Sequence, residues 1–215
     1  MKEARNHTAT LDRNRSRVIE VAQKAFETEG IKSVTMDDIA HRLTMSKRTI
    51  YQLFADKEDL LLACMQEHAR TERERLNRLG EELPNVIQVI LMEFKTRIKN
   101  FQKVQLNIFS EIKKYPRVME YLQTSREAGV ADAVAFFRRG IEQGVFRRDI
   151  DFNIVFPVIQ QQVDYVMSNA AFSIYSVTEL FTNTVMVTIR GCTTPQGAGI
   201  IDDFMKDFNN ENTAD

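Results

Sequence analysis

Residues 35–61 read TMDDIAHRLTMSKRTIYQLFADKEDLL, and this stretch decides the fold of the N-terminal region. Thr35 followed three positions later by Asp38 is typical of a capping box, so we expect a helix to begin there. Ser46 is placed to cap a second, short helix, and Asp56 to cap a longer one. The stretch therefore predicts a helix, a tight turn and a short helix, followed at once by a long helix.

The short helix has two different faces at 3.6 residues per turn. Ile50, Leu53 and Phe54 share one side, which predicts that they are buried beneath the helix. Arg48 and Gln52 then point outward. A helix that is held on one face and polar on the other fits the major groove of DNA, where arginine can read guanine and glutamine can read adenine.

Two helix starts are candidate phosphate sites. Thr35 and Lys57 each stand at the beginning of a helix, where free backbone N–H groups and the helix dipole favour an anion. Upstream, residues 13–29 have an amphipathic pattern that stops at Gly30, which predicts a helix and its C-terminal cap. Three helices so closely spaced indicate a compact N-terminal domain.

This region closely resembles the N-terminal domain of the TetR family of bacterial transcriptional regulators. The features that carry the resemblance are the stop at Gly30, Thr35 followed by Ile39-Ala40, Ser46-Lys47 leading to Thr49-Ile50-Tyr51, Phe54, and Lys57-Glu58-Asp59-Leu60. The resemblance implies an all-α dimer with nine or ten helices in each chain. It also implies an N-terminal three-helix helix-turn-helix domain and a larger helical domain for ligand binding and dimerisation.

The resemblance assigns roles to single residues. Tyr51 and Lys57 fall where members of this family usually touch phosphates, and Lys47 to Thr49 fall where they usually approach bases. A dimer would present two reading helices about 34 Å apart, which predicts a roughly palindromic double-stranded DNA operator as the partner. The candidate DNA-binding residues are Thr35, Ser46, Lys47, Arg48, Thr49, Tyr51, Gln52 and Lys57.

Two residues depart from the pattern of the family. Thr44 stands in the turn where the family most often has glycine, so we expect a distorted turn or a different backbone conformation there. Arg48 replaces a residue that is commonly small, which predicts a tilted helix or an additional base contact.

The composition of the whole chain favours a helical protein. Glycine and proline account for only 12 of 215 residues, whereas antiparallel sheets need many turns built from them.

The net charge is −1, but residues 1–55 carry ten Lys and Arg against seven Asp and Glu. The sequence shows no membrane-spanning run, no apolar secretion signal and no metal-ligand spacing around Cys64 and Cys192, which together predict a cytoplasmic protein.

The caps and breaks along the chain predict four segments. Residues 1–12 are expected to form a flexible arm, residues 13–56 the DNA-binding domain, residues 57–208 the sensing and dimerisation domain, and residues 209–215 a frayed tail. Within the larger domain, helix starts are expected near Pro84, Pro116, Asp151 and Ser176.

Residues 152–174 are expected to form a helix with two apolar stripes, which predicts burial on two sides. The wider stripe contains Val155, Ile159, Val163, Val166, Ala170 and Ile174, and the narrower one contains Ile154, Val158, Tyr165 and Phe172. One stripe is expected to pack on its own domain and the other on a second copy of the chain, and the pattern does not say which. The residues assigned to this homodimer interface are Val155, Ile159, Val163, Val166 and Ala170, with Leu180, Phe181, Val185 and Ile189 of the following helix.

A small-molecule effector site is expected in the larger domain, and its composition favours a largely apolar effector that releases a repressor from DNA. Apolar and aromatic residues belong more often to a core than to a pocket. Gln162 and Asn169 either orient a ligand or hydrogen-bond across a dimer. The candidate pocket residues are Phe94, Ile98, Phe101, Phe109, Met119, Phe137, Gln162 and Asn169.

Two other function classes compete with a DNA-binding regulator. Cys64 and His68 lie one helical turn apart, but no further metal ligand is recognisable near them. The chain has neither a glycine-rich phosphate loop nor a nucleophile elbow, so the sequence predicts no enzyme, no metal site and no cofactor. The other alternative is a helical protein-interaction module without DNA binding, whose association would depend little on salt.

Overall fold

The computed structural model describes residues 2–101, 108–167 and 174–212. Apart from an isolated bridge between Phe146 and Thr193, all regular structure in these residues is helical, which confirms the all-α prediction. The elements are α1 (Lys2–Glu29), α2 (Met36–Leu43), α3 (Lys47–Leu53), α4 (Lys57–Glu82), α5 (Val86–Phe101), α6 (Ile108–Ile112), α7 (Pro116–Glu142), α8 (Phe152–Met167), α9 (Val177–Phe181), a π-helical turn (Thr182–Met186), α10 (Val187–Gly191) and α11 (Pro195–Asn212). These elements fall into two compact units.

The first unit comprises the described residues within 1–73 and 103–124. Its core is formed by α1 to α4 together with α6 and the start of α7. The unit is larger than the domain expected from residues 13–56, because later segments of the chain supply part of its apolar surface. Its buried side chains include Val18, Phe26, Ile31, Ile39, Ile50, Phe54, Leu60, Leu61, Cys64, Ile108, Ile112 and Val118.

The ends of α1 show one difference from the sequence prediction and one agreement with it. The helix begins at Lys2, so it includes residues that were expected to form a flexible arm. No glycine or proline occurs between residues 2 and 29, so nothing in the sequence stops the helix on that side. At the other end Gly30 has a φ of 83° and its N–H donates to the carbonyl of Phe26, which confirms the predicted cap.

The predicted N-terminal caps of the next three helices are confirmed. Thr35 Oγ1 accepts the N–H of Asp38 at 3.1 Å, and the N–H of Thr35 donates to Asp38 Oδ2 at 2.8 Å. Ser46 Oγ accepts the N–H of Thr49 at 3.1 Å. Asp56 Oδ1 accepts a backbone N–H from the first turn of α4 at 2.7 Å. These caps satisfy donors that the helices leave open and fix the residue at which each helix begins.

The turn between α2 and α3 passes through Thr44, which has φ 55° and ψ 37°. Among the described residues, Thr44 is the only non-glycine residue with a positive φ. Its N–H donates to the carbonyl of His41 at 3.1 Å and closes the end of α2. The turn therefore accommodates Thr44 in the left-handed conformation that glycine favours, at a steric cost to the threonine side chain.

Replacing Thr44 by glycine is expected to stabilise the protein by about 0.5–1 kcal/mol. The change removes roughly 1–2 kcal/mol of strain that the left-handed conformation causes in threonine. It also adds an entropic cost, because glycine loses more conformational freedom on folding, and this cost is smaller than the strain. Thermal unfolding measures the effect. Thr44→Ala is the control, because it keeps a Cβ in the strained conformation and is expected to melt close to the parent protein. A Thr44→Gly variant that melts no higher than Thr44→Ala would contradict the strain.

The second unit comprises the described residues within 74–102 and 125–215. Its core is formed by α5, by the later part of α7, and by α8 to α11. Aromatic rings organise this core. Phe94 meets the rings of Phe181 and Phe208 edge to face, and Phe137 stacks on Phe152 with ring centroids 4.4 Å apart.

Helix ends in the second unit agree with the sequence prediction except at three places. Ser176 forms the predicted capping box with Glu179, and Asp151 Oδ1 accepts a backbone N–H at the start of α8. α4 continues to Glu82 instead of ending before Gly80. α5 begins at Val86 instead of at Pro84, and α11 extends to Asn212, into the tail that was expected to fray.

The apolar residues assigned to a dimer interface lie in the core of the second unit. Because α9 and the π-helical turn pack against α8, the wider stripe is covered within the subunit from Val155 to Val166, whereas Ile174, beyond α8, is 77% exposed. The assigned residues that are buried are Ile159, Val166, Leu180, Phe181, Val185 and Ile189; Val155 and Val163 are partly buried against them, and Ala170 lies outside the described residues.

The narrower stripe of α8 faces solvent. Ile154 is 68% exposed, Val158 46% and Tyr165 57%. Val187 at the start of α10 is 59% exposed. The adjacent residue, Thr188, is hydrogen-bonded to Gln162 of α8, so α10 begins close to α8. These four residues form what we call the apolar face.

The residues predicted to line an effector pocket lie in different surroundings. Phe94, Ile98 and Phe137 are core residues of the second unit, where other apolar side chains cover them. Met119 belongs to the first unit and is exposed. The predicted residues whose side chains lie outside the described structure are Phe101, Phe109 and Asn169.

Gln162 is the predicted pocket residue with an unusual environment. Its Nε2 donates to Thr188 Oγ1 at 2.8 Å, and Thr188 Oγ1 in turn donates to the carbonyl of Thr184 at 3.0 Å. Its Oε1 is buried, and no described residue donates a hydrogen bond to it. A buried acceptor without a donor is unfavourable, so this oxygen is suited to an additional hydrogen-bond donor.

Candidate nucleic-acid interface

α3 is anchored from beneath and polar above, as the sequence predicts. Ile50 is fully buried and Phe54 is 1% exposed, while Leu53 is half-buried. Arg48 and Gln52 are exposed on the opposite side. The predicted division of this short helix into a buried and a solvent-facing side is therefore confirmed.

Two hydroxyl groups organise the N-terminal end of α3. Ser46 Oγ and Thr49 Oγ1 are hydrogen-bonded at 2.8 Å, and Ser46 Oγ also accepts the N–H of Thr49. Both hydroxyls are thus engaged in beginning the helix. Tyr51, two residues after Thr49, is half exposed and extends the polar surface of α3.

Lys47, the first residue of α3, forms an ion pair with Asp37 of α2. Its Nζ lies 2.5 Å from Asp37 Oδ2, and the two side chains are 68% and 52% exposed. The hydrogen bond from Lys47 to Asp37, assisted by the attraction of their charges, raises the pKa of Lys47. The ammonium group is therefore held by a carboxylate of the protein at the edge of the exposed surface.

The starts of α2 and α4 carry the other predicted phosphate contacts. Thr35 Oγ1 donates to Asp38 Oδ2 at 2.6 Å, and the hydrogen bonds from Thr35 hold the pKa of Asp38 below its usual value. Lys57 opens α4 and is half-buried, and its desolvation lowers its pKa. A partly desolvated cation at a helix N-terminus is a favourable place for a phosphate.

A contact absent from the sequence prediction joins α1 to the end of α3. Arg15 Nη1 donates to the carbonyl of Leu53 at 2.9 Å, and its guanidinium lies 4.3 Å from the centre of the Phe54 ring. Leu53 is the last residue of α3, so Arg15 satisfies a carbonyl that the helix leaves open and places a positive charge at the negative end of its dipole. Arg15 and Leu53 are 38 positions apart, and no local pattern signals the pair.

α6 and α7 also contact the helix-turn-helix region of the first unit. Glu111 Oε2 accepts the N–H of Lys32 at 2.8 Å. Arg117 Nη2 donates to both carboxylate oxygens of Asp56, at 2.6 and 2.7 Å, and its backbone N–H donates to Glu58 Oε1 at 2.7 Å. These contacts secure the start of α4 from a distant segment of the chain.

Comparison with known families matches this same region. A family model described as bacterial regulatory proteins, tetR family, matches residues 18–64, which contain α2, α3, the second half of α1 and the start of α4. This part of the chain is similar to the N-terminal region of the TetR family. The match includes the buried and exposed faces of α3, so the resemblance stated from the sequence is confirmed.

A curated relative is similar to the N-terminal part of this chain. HTH-type transcriptional regulator SAB2452 of Staphylococcus aureus (strain bovine RF122 / ET3-1) is 30% identical over 88 residues. The alignment covers 38% of this chain and 48% of that protein, so the chain spans about half the length of the relative. Its name agrees with the prediction that the chain is not an enzyme.

Solved structures share the TetR fold over most of the chain. A transcriptional regulator from Saccharomonospora viridis in complex with choline has a TM-score of 0.68 at 18% identity, covering 85% of this chain and 99% of that one. A TetR-family regulator from Cytophaga hutchinsonii has a TM-score of 0.68 at 15% identity, covering 86% and 97%. These similarities confirm the predicted fold, an N-terminal helix-turn-helix domain with a larger helical domain.

Cys64 and His68 have different environments, which does not favour a metal site. Cys64 is buried, its Sγ donates to the carbonyl of Ile19 at 3.8 Å, and burial raises its pKa to about 12. His68 is exposed. Metal binding requires the thiolate, which this environment disfavours.

In the described parts of the chain, no helix combines the length and apolar character needed to cross a bilayer.

Proposed function

We propose that this protein is a dimeric, sequence-specific DNA-binding transcriptional regulator that leaves its operator when a small molecule binds. The observation that carries the proposal is the geometry of α3, in which Ile50 and Phe54 are buried and Arg48 and Gln52 face solvent. A helix anchored in this way can enter the major groove without disturbing its own core. The family match over residues 18–64 supports the same role.

The proposed DNA contacts on the surface of the first unit divide into two groups. Arg48 and Gln52 carry the hydrogen-bonding groups that suit guanine and adenine edges. Tyr51 and Lys57 are suited to phosphates, since Tyr51 offers a hydroxyl beside α3 and Lys57 a cation at the start of α4. These four residues would set both the sequence preference and the register on the duplex.

Thr35, Ser46 and Thr49 act mainly by holding the reading helix in place. Their hydroxyls take part in the caps of α2 and α3. The backbone N–H groups at the start of α2 remain the part of this region best suited to a phosphate. Substituting these residues would therefore weaken DNA binding through the helix starts as well as through lost contacts.

A second copy of the chain is the proposed occupant of the apolar face, Ile154, Val158, Tyr165 and Val187. Exposed apolar residues on α8 and on the adjacent start of α10 are the observation that favours an association surface. Packing two such faces around a two-fold axis would make a four-helix contact and pair two reading helices. This arrangement replaces the wider stripe of α8 by the narrower one as the dimer contact.

The proposed effector site is in the second unit, near Gln162. The Oε1 atom of Gln162 is buried without a donor among the described residues, and the surrounding core is aromatic and aliphatic. A largely apolar molecule with one hydrogen-bond donor would suit these surroundings. The S. viridis regulator of the same fold is in complex with choline, which shows that the fold can hold a small molecule in that protein.

Selection of duplexes from a random pool with the purified protein tests the proposed function. We expect a recovered consensus that is roughly palindromic, with half-sites about one helical turn apart. Binding should weaken steeply between low and moderate salt because counterions are released from the phosphates. Recovery of no consensus, with association to DNA that does not depend on salt, would contradict the proposal.

Arg48→Ala is expected to weaken binding to the selected operator by roughly 1–3 kcal/mol and to relax the preference at one base pair in each half-site. The arginine is exposed at the outer face of α3, so its removal should leave the unfolding temperature unchanged. Titration of duplexes that carry each base at that position measures the effect. Equal weakening on every duplex would instead identify Arg48 as a phosphate contact.

A further inference from the structure

Asp37 differs from neighbouring carboxylates in what it contacts. Asp38 forms the capping box of α2 with Thr35. Glu29 of α1 accepts from both Nη atoms of Arg42, each at 2.6 Å, and so joins α1 to α2. In the part of the chain that the structure describes, the carboxylate of Asp37 accepts a hydrogen bond from Lys47 and from no backbone group. The side chain of Asp37 therefore caps no helix, and its described hydrogen bond joins α2 to Lys47 at the start of α3.

The partner of Asp37 is a cation of the proposed DNA-binding surface. Lys47 opens α3, next to Arg48, and its described hydrogen bond goes to Asp37. An ammonium group held by a carboxylate contributes little net charge to the field that attracts phosphates. Before Lys47 can contact DNA, it has to leave Asp37, and the free carboxylate then lies close to a polyanion. Both effects oppose contact between Lys47 and DNA.

We propose that Asp37 is a specificity determinant that acts through Lys47, an inference that rests on the proposed DNA-binding function. On a non-cognate duplex, Lys47 stays paired with Asp37, and each subunit forgoes one phosphate contact. On the operator, a base edge with two acceptors, such as O6 and N7 of guanine, draws the ammonium group away from Asp37. Asp37 thereby lowers sequence-independent affinity more than operator affinity.

The Asp37→Asn variant tests this role because it keeps the shape of the side chain and removes the charge. We expect its affinity for a scrambled duplex to rise by a factor of roughly 4–25, since an exposed ion pair corresponds to a factor of roughly 2–5 and the factors of the two pairs in a dimer multiply. The slope of log K against log salt on that duplex should steepen by about 0.9 for each Lys47 that gains a phosphate. Affinity for the selected operator should change by no more than about twofold, so the ratio of the two affinities falls.

Lys47→Gln provides an independent measurement that does not depend on the folding of the first variant. It should weaken operator binding and leave the salt slope on the scrambled duplex unchanged, because Lys47 contacts no phosphate there, while the unpaired Asp37 carboxylate lowers the affinity for both duplexes. The double variant Asp37→Asn with Lys47→Gln should have the same salt slopes as Lys47→Gln alone. Unfolding temperatures of all three variants, measured in parallel, separate these effects from a loss of fold.

Three results would overturn the role of Asp37. One is an equal gain on the operator and on the scrambled duplex in Asp37→Asn. Another is a steeper salt slope in Asp37→Asn that persists without Lys47, which would mean that Asp37 acts only by repelling phosphates. The third is a shallower salt slope on the scrambled duplex in Lys47→Gln, which would mean that Lys47 already contacts a phosphate there. Failure of the proposed function is distinct from these, because the parent protein would then prefer no duplex at all.

Discussion

Replacing Gly197 by alanine is expected to destabilise the second unit by about 3 kcal/mol, near the upper end of the usual cost of overpacking. A Cβ at this buried position would overlap the carbonyl oxygen of Val145 and would lie 2.7 Å from Cδ1 of Ile87. The Val145 carbonyl cannot turn away without loss, because it accepts the N–H of Thr194 at 3.1 Å. The start of α11 must therefore move away from the core, and its apolar contacts are weakened.

Gly199→Ala, two positions later on α11, is the matched control. It is exposed, and no atom outside its own helix backbone lies within 4 Å of the added Cβ. Alanine is favoured over glycine inside a helix by about 1 kcal/mol, so this variant should be more stable than the parent. Urea unfolding should show a lower midpoint for Gly197→Ala and a higher one for Gly199→Ala. Equal midpoints would contradict the close approach of α11 to Val145.

The second large effect is expected from Val158→Glu, which should convert the proposed dimer into monomers at micromolar concentration. Val158 lies in the apolar face, and two-fold symmetry would bring two new carboxylates into one contact. Burying unpaired charges costs several kcal/mol, so the dimerisation constant should fall by at least about a hundredfold. Operator affinity should fall with it, since each half-site would then be bound independently. Sedimentation velocity and duplex titration measure the two effects.

Met92→Glu is the control for this experiment. Met92 is an exposed apolar residue of α5 and does not belong to the apolar face. The same change of charge there should leave the sedimentation coefficient and operator affinity unaltered. If Val158→Glu remained a dimer while Met92→Glu became monomeric, the apolar face would be the wrong surface.

Helix caps and helical periodicity, which depend on residues close in sequence, predicted the helix boundaries and the two faces of α3 in the first unit. A capping box, an N-cap or a glycine stop depends on groups within four residues, so Gly30, Thr35, Ser46 and Asp56 could be assigned from the sequence. The two faces of α3 followed from helical periodicity in the same way. Contacts between distant segments could not be assigned, because Arg15 and residues such as Arg117 meet partners 38 to 61 positions away.

The second unit shows why periodicity alone is insufficient. The spacing on α8 correctly indicates two apolar stripes, but their burial depends on which side α9 and the π-helical turn cover. The side that they cover is the wider stripe, which contains Ile159 and Val166. Similarly, Phe94 and Phe137 are of a residue type that lines pockets as well as cores. The positions of the neighbouring rings, which the sequence does not give, show that both are core residues.

The discontinuous make-up of the first unit affects the order of events during synthesis. Val18 and Cys64 bury their surfaces against a core that also requires Ile112 and Val118. At about 5–20 residues per second, the ribosome needs roughly 3–10 s to advance from Cys64 to Val118. During that interval the nascent reading helix would rest on an incomplete hydrophobic interior, exposed to chaperones and proteases. A fragment truncated after α4 would remain in that condition.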